Sequence, residues 1–288
     1  MNADANAGNR HTDMTGWQGP ESYFHFIECE ELQPSLIVDV LRGRHLGAVF
    51  RNVVPVITRE EMVSRFFASP GRQKRGAEAP GDYLGAYHYG KTIDEYLDQT
   101  ATIRPELEKA LDIPSEPLRQ IHQLLREKLA LDGIEFRLAR HRGREACVGV
   151  LRSWYGQRRF ALHPHEDRGQ CEDPKQAGFE VQRVATHRIG ALNICLDNGP
   201  GGQLTVWNLC PDEATRTRLG VRYTGSPYEA DWLTGIHYLL LDVRPGDIYL
   251  FNAAHVHAVE PVRDANANRV TLSAMMGFSD AKTVITWT

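Results

Sequence analysis

Beyond Gly133 the chain keeps breaking into short runs of β character, and this rhythm restricts its fold more than any other feature of the sequence. The runs fall at 135–139, 146–154, 158–163, 179–186, 191–196, 203–208, 237–243, 247–251, 257–262, 269–277 and 283–287. They are rich in β-branched and aromatic residues, and Gly, Pro, Asn and Asp turns separate them. About ten such strands, with one short helical stretch over 212–219, predict a mainly β protein built on an antiparallel double-sheet barrel. The expected core is a double-stranded β-helix, or jelly roll.

The first half reads differently. Strands are expected at 24–28 and 47–55, and helices at 32–41, 93–111 and 115–131. In the last of these Pro117 sits in the first turn, and Leu118, Ile121, Leu125 and Leu129 fall at helical spacing. The T-x-x-E pattern Thr58-Arg59-Glu60-Glu61 predicts a helix starting at Thr58 with Met62, Phe66 and Phe67 on its buried side, ending near Pro70-Gly71. The segment 72–90 reads as a mobile loop; its Tyr83, Tyr87 and Tyr89 fit either a substrate lid or aromatic packing over an apolar floor. The apolar stripes imply that the helices cover the larger sheet. With no linker-like boundary at Gly133, the expectation is a tail over 1–20 and a single domain over 21–288, helix-rich to 133 and β-rich from 134.

Composition narrows the function. A formal charge of −4 and a pI of about 6.3 give nucleic acid no electrostatic reason to bind. No stretch approaches the roughly 18 apolar residues of a membrane span, and the polar start lacks the apolar centre of a signal peptide. The five cysteines, Cys29, Cys147, Cys171, Cys195 and Cys210, are odd in number and widely spread, which fits a reducing compartment. A cytoplasmic protein is expected. Trp154, Tyr155 and Trp207 read as barrel core.

Two histidine clusters carry the chemistry. In Leu162-His163-Pro164-His165-Glu166-Asp167 an extended chain puts His163, His165 and Asp167 on one face. Asn252-Ala253-Ala254-His255-Val256-His257 repeats the ambiguity with two histidines on one face. Two imidazoles and one carboxylate form a facial ligand set that leaves three metal positions open. Spacing alone does not choose among the histidines.

The segment Gly246-Asp247-Ile248-Tyr249-Leu250-Phe251, then His257-Ala258-Val259-Glu260-Pro261-Val262, then Arg269-Val270-Thr271-Leu272-Ser273, resembles the C-terminal signature of the Fe(II)/2-oxoglutarate-dependent oxygenases. Gly201-Gly202-Gln203-Leu204 resembles that family's G-G-E-L turn, with Gln203 in place of the acid. Together with His165-Glu166-Asp167 these pieces keep the family's order over about 150–280.

The resemblance implies that His165, Asp167 and His257 hold Fe(II) and that Arg269 pairs with the distal carboxylate of 2-oxoglutarate. Thr271 would add a hydrogen bond, while Arg152 and Asn193 would contact the other end of this co-substrate. O2 is the third participant. His163 and His255 are then supporting or core histidines. Length and the helical first half are similar to stand-alone members acting on small molecules such as amino acids or natural-product intermediates, including relatives that halogenate. Those halogenases replace the aspartate with a small residue; Asp167 implies hydroxylation or another oxidation instead. Two alternatives remain open: an oxygenase acting on a peptide or carrier-bound amino acid, for which Arg72, Lys74 and Arg75 would be a docking hint, and a cupin-like metalloprotein using His163, His165 and His257.

Overall fold

In a computed structural model, residues 14–76, 80–154, 160–185, 187–264 and 267–288 are described. Two sheets form most of the β structure. The larger has ten strands and runs Phe26–Cys29, Gly47–Phe50, Ile248–Asn252, Gly190–Asp197, Arg269–Asp280, Val150–Trp154, Asp82–Leu84, Gln73–Lys74. Thr283–Trp287 folds back on the long strand Arg269–Asp280 and pairs in parallel with Glu135–Leu138. The smaller sheet has four strands, in the order Leu162–His165, His257–Val259, Leu204–Trp207, Tyr238–Leu241.

Alternation along the central strands divides the larger sheet into two chemically different faces. Leu250, Leu192, Ile194, Val270 and Leu272 point to one side and join the main core cluster. Against them pack Leu36 and Ile37 of helix Pro34–Leu41, Met62 and Phe66 of Val56–Ala68, Leu107 of Ile93–Leu111, and Ile121, Leu125 and Leu129 of Pro117–Ala130. Each such side chain, fully buried, contributes roughly 1.5–3 kcal/mol. The intervening residues Ala191, Cys195, Tyr249 and Phe251 face the smaller sheet and meet Leu204 and Val206. Polar residues of the same strands share this inter-sheet space, which is where the site lies.

Most expected elements appear within a few residues of their predicted bounds, but three depart. The helix expected to open on Thr58 begins at Val56 behind Pro55, with no side-chain cap, and Thr58 is buried within its first turn. Pro55 itself has the extended backbone that starts the helix (φ −57°, ψ 146°), so the capping box is not used. The strand expected over 179–186 is the short helix Val181–Val184, whose two valines, three apart, both enter the core; Thr186 lies outside the described residues. The segment 72–90 is partly built into the sheet, because Asp82–Leu84 pairs with Val150–Trp154 and Gln73–Lys74 pairs with Asp82–Leu84.

The expected tail over 1–20 shrinks too. Residues 1–13 lie outside the described residues, whereas Gly16–Trp17 pairs with Cys210–Pro211 and the Gly19 amide bonds Asn208. Tyr155 and the start of the run expected at 158–163 also fall outside the described residues. All five cysteines are free. Among the described residues no helix is long and apolar enough to cross a membrane.

Candidate metal centre and its cavity

The strand Leu162–His165 pairs antiparallel with His257–Val259, and a shift in register brings His165 directly opposite His257. Opposed residues of a strand pair project to the same face, so the two imidazoles meet, with ring centroids 4.1 Å apart. Beyond His165 the chain turns. The Glu166 amide donates to the Gly225 carbonyl and the Asp167 amide to that of Ala253, both at 2.9 Å. This turn returns the Asp167 carboxylate to the histidines: Oδ1 is 4.0 Å from His165 Nε2, and Oδ2 is 3.8 Å from His257 Nε2. The three ligand atoms lie within 4.8 Å of one another.

Hydrogen bonds decide which ring nitrogens can bind a metal. His165 Nδ1 bonds the His163 carbonyl at 2.8 Å, and His257 Nδ1 bonds the His255 carbonyl at 2.9 Å. A carbonyl only accepts, so each Nδ1 carries the proton and each Nε2 presents its lone pair to the other ligands. Burial, reinforced by the neighbouring His257, holds His165 well below the usual imidazole range; burial likewise lowers His257 to about 4. Both rings are therefore neutral near neutral pH. Burial pushes Asp167 up to about 7 against the opposing pull of Arg152 and of the hydrogen bond from Gln170. A cation bound here reverses that cost and releases the proton.

Two neutral imidazoles and a carboxylate suit Fe(II) with three open positions. Donors on one ion, bound at about 2.1 Å, stand at most about 4.2 Å apart, and the two separations between the Asp167 carboxylate and the imidazoles satisfy this limit. His163 is not part of the cluster. Its ring packs edge-on against Phe160 at 6.2 Å, in the wall of a neighbouring cavity. His255 is fully buried, with Nδ1 donating to the Trp207 carbonyl at 3.0 Å and Nε2 3.3 Å from Tyr23 Oη.

An inner cavity runs between the sheets from this cluster to Arg269, lined among others by Arg152, Asn193, Tyr249 and Ser273. Arg269 is 1% exposed; its Nε donates to the Gly202 carbonyl at 3.1 Å and Nη2 to Tyr249 Oη at 2.7 Å. Alternation places Thr271 and Ser273 on the same strand face. Ser273 Oγ donates to Asn193 Oδ1 at 2.7 Å and lies 3.3 Å from Thr271 Oγ1. Thr271 itself is fully buried and lies behind Ser273 instead of lining the cavity. Six of the seven predicted site residues, His165, Asp167, His257, Arg269, Arg152 and Asn193, thus border one space.

Tyr249, Ser273 and Gln170 were not singled out from the sequence. Ser273 had a signal, four residues beyond Arg269 and so on its face. Tyr249 and Gln170 had none, since each acts through a contact made by another segment. His165 and Asp167 also border a larger outer cavity of about 700 Å³, whose walls include Tyr83, Tyr87, Tyr89 and Tyr228. The tyrosines of 83–89 therefore pack and line at once: the Tyr83 and Tyr87 rings lie 5.2 Å apart.

No protein-family model matches the chain. It is 29% identical to the L-isoleucine 3(1)-dioxygenase of Pantoea ananatis, with 86% of each chain covered. Its fold is similar to that of a crystallised N-substituted L-amino acid dioxygenase from Burkholderia ambifaria, with a TM-score of 0.56, 12% identity, and 88% of this chain and 91% of that one covered. The α-ketoglutarate complex of that dioxygenase gives a TM-score of 0.55 at 13% identity, covering 88% and 90%. The chain is thus similar over most of its length to a dioxygenase, shares the fold of an amino acid dioxygenase, and brings a His-Asp-His cluster to one cavity with a buried arginine.

Proposed function

We propose that the protein is an Fe(II)- and 2-oxoglutarate-dependent dioxygenase that hydroxylates, or otherwise oxidises, an unactivated C–H bond of a small molecule, most simply an amino acid. The observation that carries this reading is the meeting, in one cavity, of His165, Asp167 and His257 with the buried guanidinium of Arg269. The likeness to an isoleucine dioxygenase supports the substrate class. In this reading the two sheets are the halves of a jelly roll within a single domain over 21–288, and the enzyme works in the cytoplasm.

His165, Asp167 and His257 would hold Fe(II), their tautomers and orientation set by the carbonyls of His163 and His255 and by Gln170. Arg269, braced by Gly202 and Tyr249, would pair with the distal carboxylate of 2-oxoglutarate, and Thr271 would support that wall through Ser273. Asn193 borders the same co-substrate space, while Arg152 stands within reach of a carboxylate in either cavity. When bound, iron with 2-oxoglutarate and O2 supplies the oxidising power, with 2-oxoglutarate leaving as succinate and CO2. The residues around it orient the reacting C–H and keep water out. Asp167 keeps a carboxylate where a halogenating relative would need a vacant position, which favours hydroxylation.

Titrating 2-oxoglutarate into anaerobic Fe(II)-loaded protein tests this. A metal-to-ligand absorption band is expected, and Arg269→Ala should weaken co-substrate binding. A protein that binds iron but never gives the band would be a cupin-like metalloprotein, and a chlorinated product formed in the presence of chloride would overturn the hydroxylase assignment.

A further inference from the structure

Arg152 stands where the inner and outer cavities meet. On the strand Val150–Trp154 it lies across from Thr271 on one side and Tyr83 on the other. Arg269 reaches the other way, across the sheet to Tyr249. Both guanidiniums line the inner cavity, but of the two only Arg152 also lines the outer one.

Among the described residues the Arg152 guanidinium has no hydrogen-bond or ion-pair partner, and its Nε is buried without an acceptor. Its fixed contact is the Trp154 ring, 5.4 Å from the guanidinium carbon, and Arg75 lies over the same ring at 4.6 Å. Burial first, and then Arg75, draw Arg152 down to about 9, so it remains charged near neutral pH. The acids that face it do not supply a partner. Asp167 belongs to the metal set, Glu166 accepts from the amides of Arg168 and Gly169, and Glu229 is exposed. A half-buried guanidinium without acceptors is costly unless a ligand brings them. In the oxygenase reading both carboxylates of 2-oxoglutarate already have places, one on Arg269 and one at the metal.

We infer that Arg152 anchors a third carboxylate, that of the substrate, so that the molecule oxidised is an amino acid held by its acid group at the mouth of the metal centre. Trp154 keeps the guanidinium facing the cavity, Arg75 adds to the positive field, and Tyr83, Tyr87 and Tyr228 surround the substrate's body. This inference rests on the oxygenase reading.

The test follows succinate release by the Fe(II)-loaded full chain with a panel of the proteinogenic L-amino acids and their N-acetyl derivatives, then compares the best of them with its carboxamide. The carboxamide is expected to raise KM by about 30- to 100-fold. Arg152→Gln should raise the KM of the acid to a similar extent and abolish the preference for acid over amide, and Arg152→Lys should restore part of it. The 2-oxoglutarate midpoint of the anaerobic band should shift less than about threefold.

If Arg152→Gln weakens 2-oxoglutarate as strongly as Arg269→Ala does, Arg152 is a co-substrate residue and the inference fails. It fails also if the variant still prefers the acid, or if the band forms but no acid of the panel drives turnover. In that last case the oxygenase reading survives; absence of the band would sink both. Should Arg152→Gln not fold, the wild-type comparison of acid with amide and the Arg152→Lys protein decide.

Discussion

The segments 163–165 and 255–257 are alike in sequence and in backbone, yet their leading histidines have different fates. In each, the carbonyl of the first histidine takes the Nδ1 proton of the second, at 2.8 and 2.9 Å. The side chain of His255 is sealed in the core between Trp207 and Tyr23, whereas that of His163 looks into the outer cavity beside Phe160. Each candidate ligand is thus oriented by a main-chain atom that any residue would supply, while the side chain two positions earlier is free to be core or cavity wall.

The sharpest way to break this distinction is to remove a second-position histidine. His257→Ala should cut bound iron to below about a tenth of an equivalent per chain and succinate formation by ~1000-fold or more, as read by metal analysis and coupled assay. Retained iron would mean that the cluster is not the metal site. Next in size, Arg269→Gln should raise the anaerobic dissociation constant of 2-oxoglutarate about 30- to 100-fold while iron content stays near that of the wild type. A parallel loss of iron would show that the arginine end and the metal end are not separable.

His255→Leu should cost about 1–3 kcal/mol of stability in urea unfolding, because the Trp207 carbonyl and Tyr23 hydroxyl lose a buried partner. An unchanged midpoint would contradict its core role. The smallest effect is expected of His163→Ala, since the carbonyl that fixes His165 remains: iron occupancy within about twofold and stability within about 0.5 kcal/mol. If that variant loses its metal, His163 is a ligand after all.

These pairs also mark where the sequence stops being legible. Residues two apart on a strand share a face, so periodicity offers His163 and His165 equally; register chose, and register depends on the distant partner His257. The helix Ile93–Leu111 starts where the sequence led one to expect, and its start is fixed locally, since Thr92 and Glu95 form a capping box that needs no tertiary help. The same pattern at Thr58 misled because Pro55, three residues earlier, already sets the helical entry. The region 179–186 was too short for period to speak: its valines suit a strand in isolation and a single helical turn against Tyr96 and the core once folded. Arg152 was visible as a strand residue, but its lack of a partner could emerge only after every neighbour had been placed.

Gly202 bears on Arg269 twice. Its carbonyl accepts the Nε proton, and a methyl group in place of its hydrogen would stand 3.0 Å from Arg269 Cδ at a backbone φ of +65° that favours glycine. With Tyr249 gripping the other side, the guanidinium can neither sink nor rise. If the proposed metal is held opposite, a cation fixed at this depth would behave as a caliper: a keto diacid one carbon shorter would leave one of its ends short of contact, and one carbon longer would have to buckle, so such acids would be selected by length before any bond is broken.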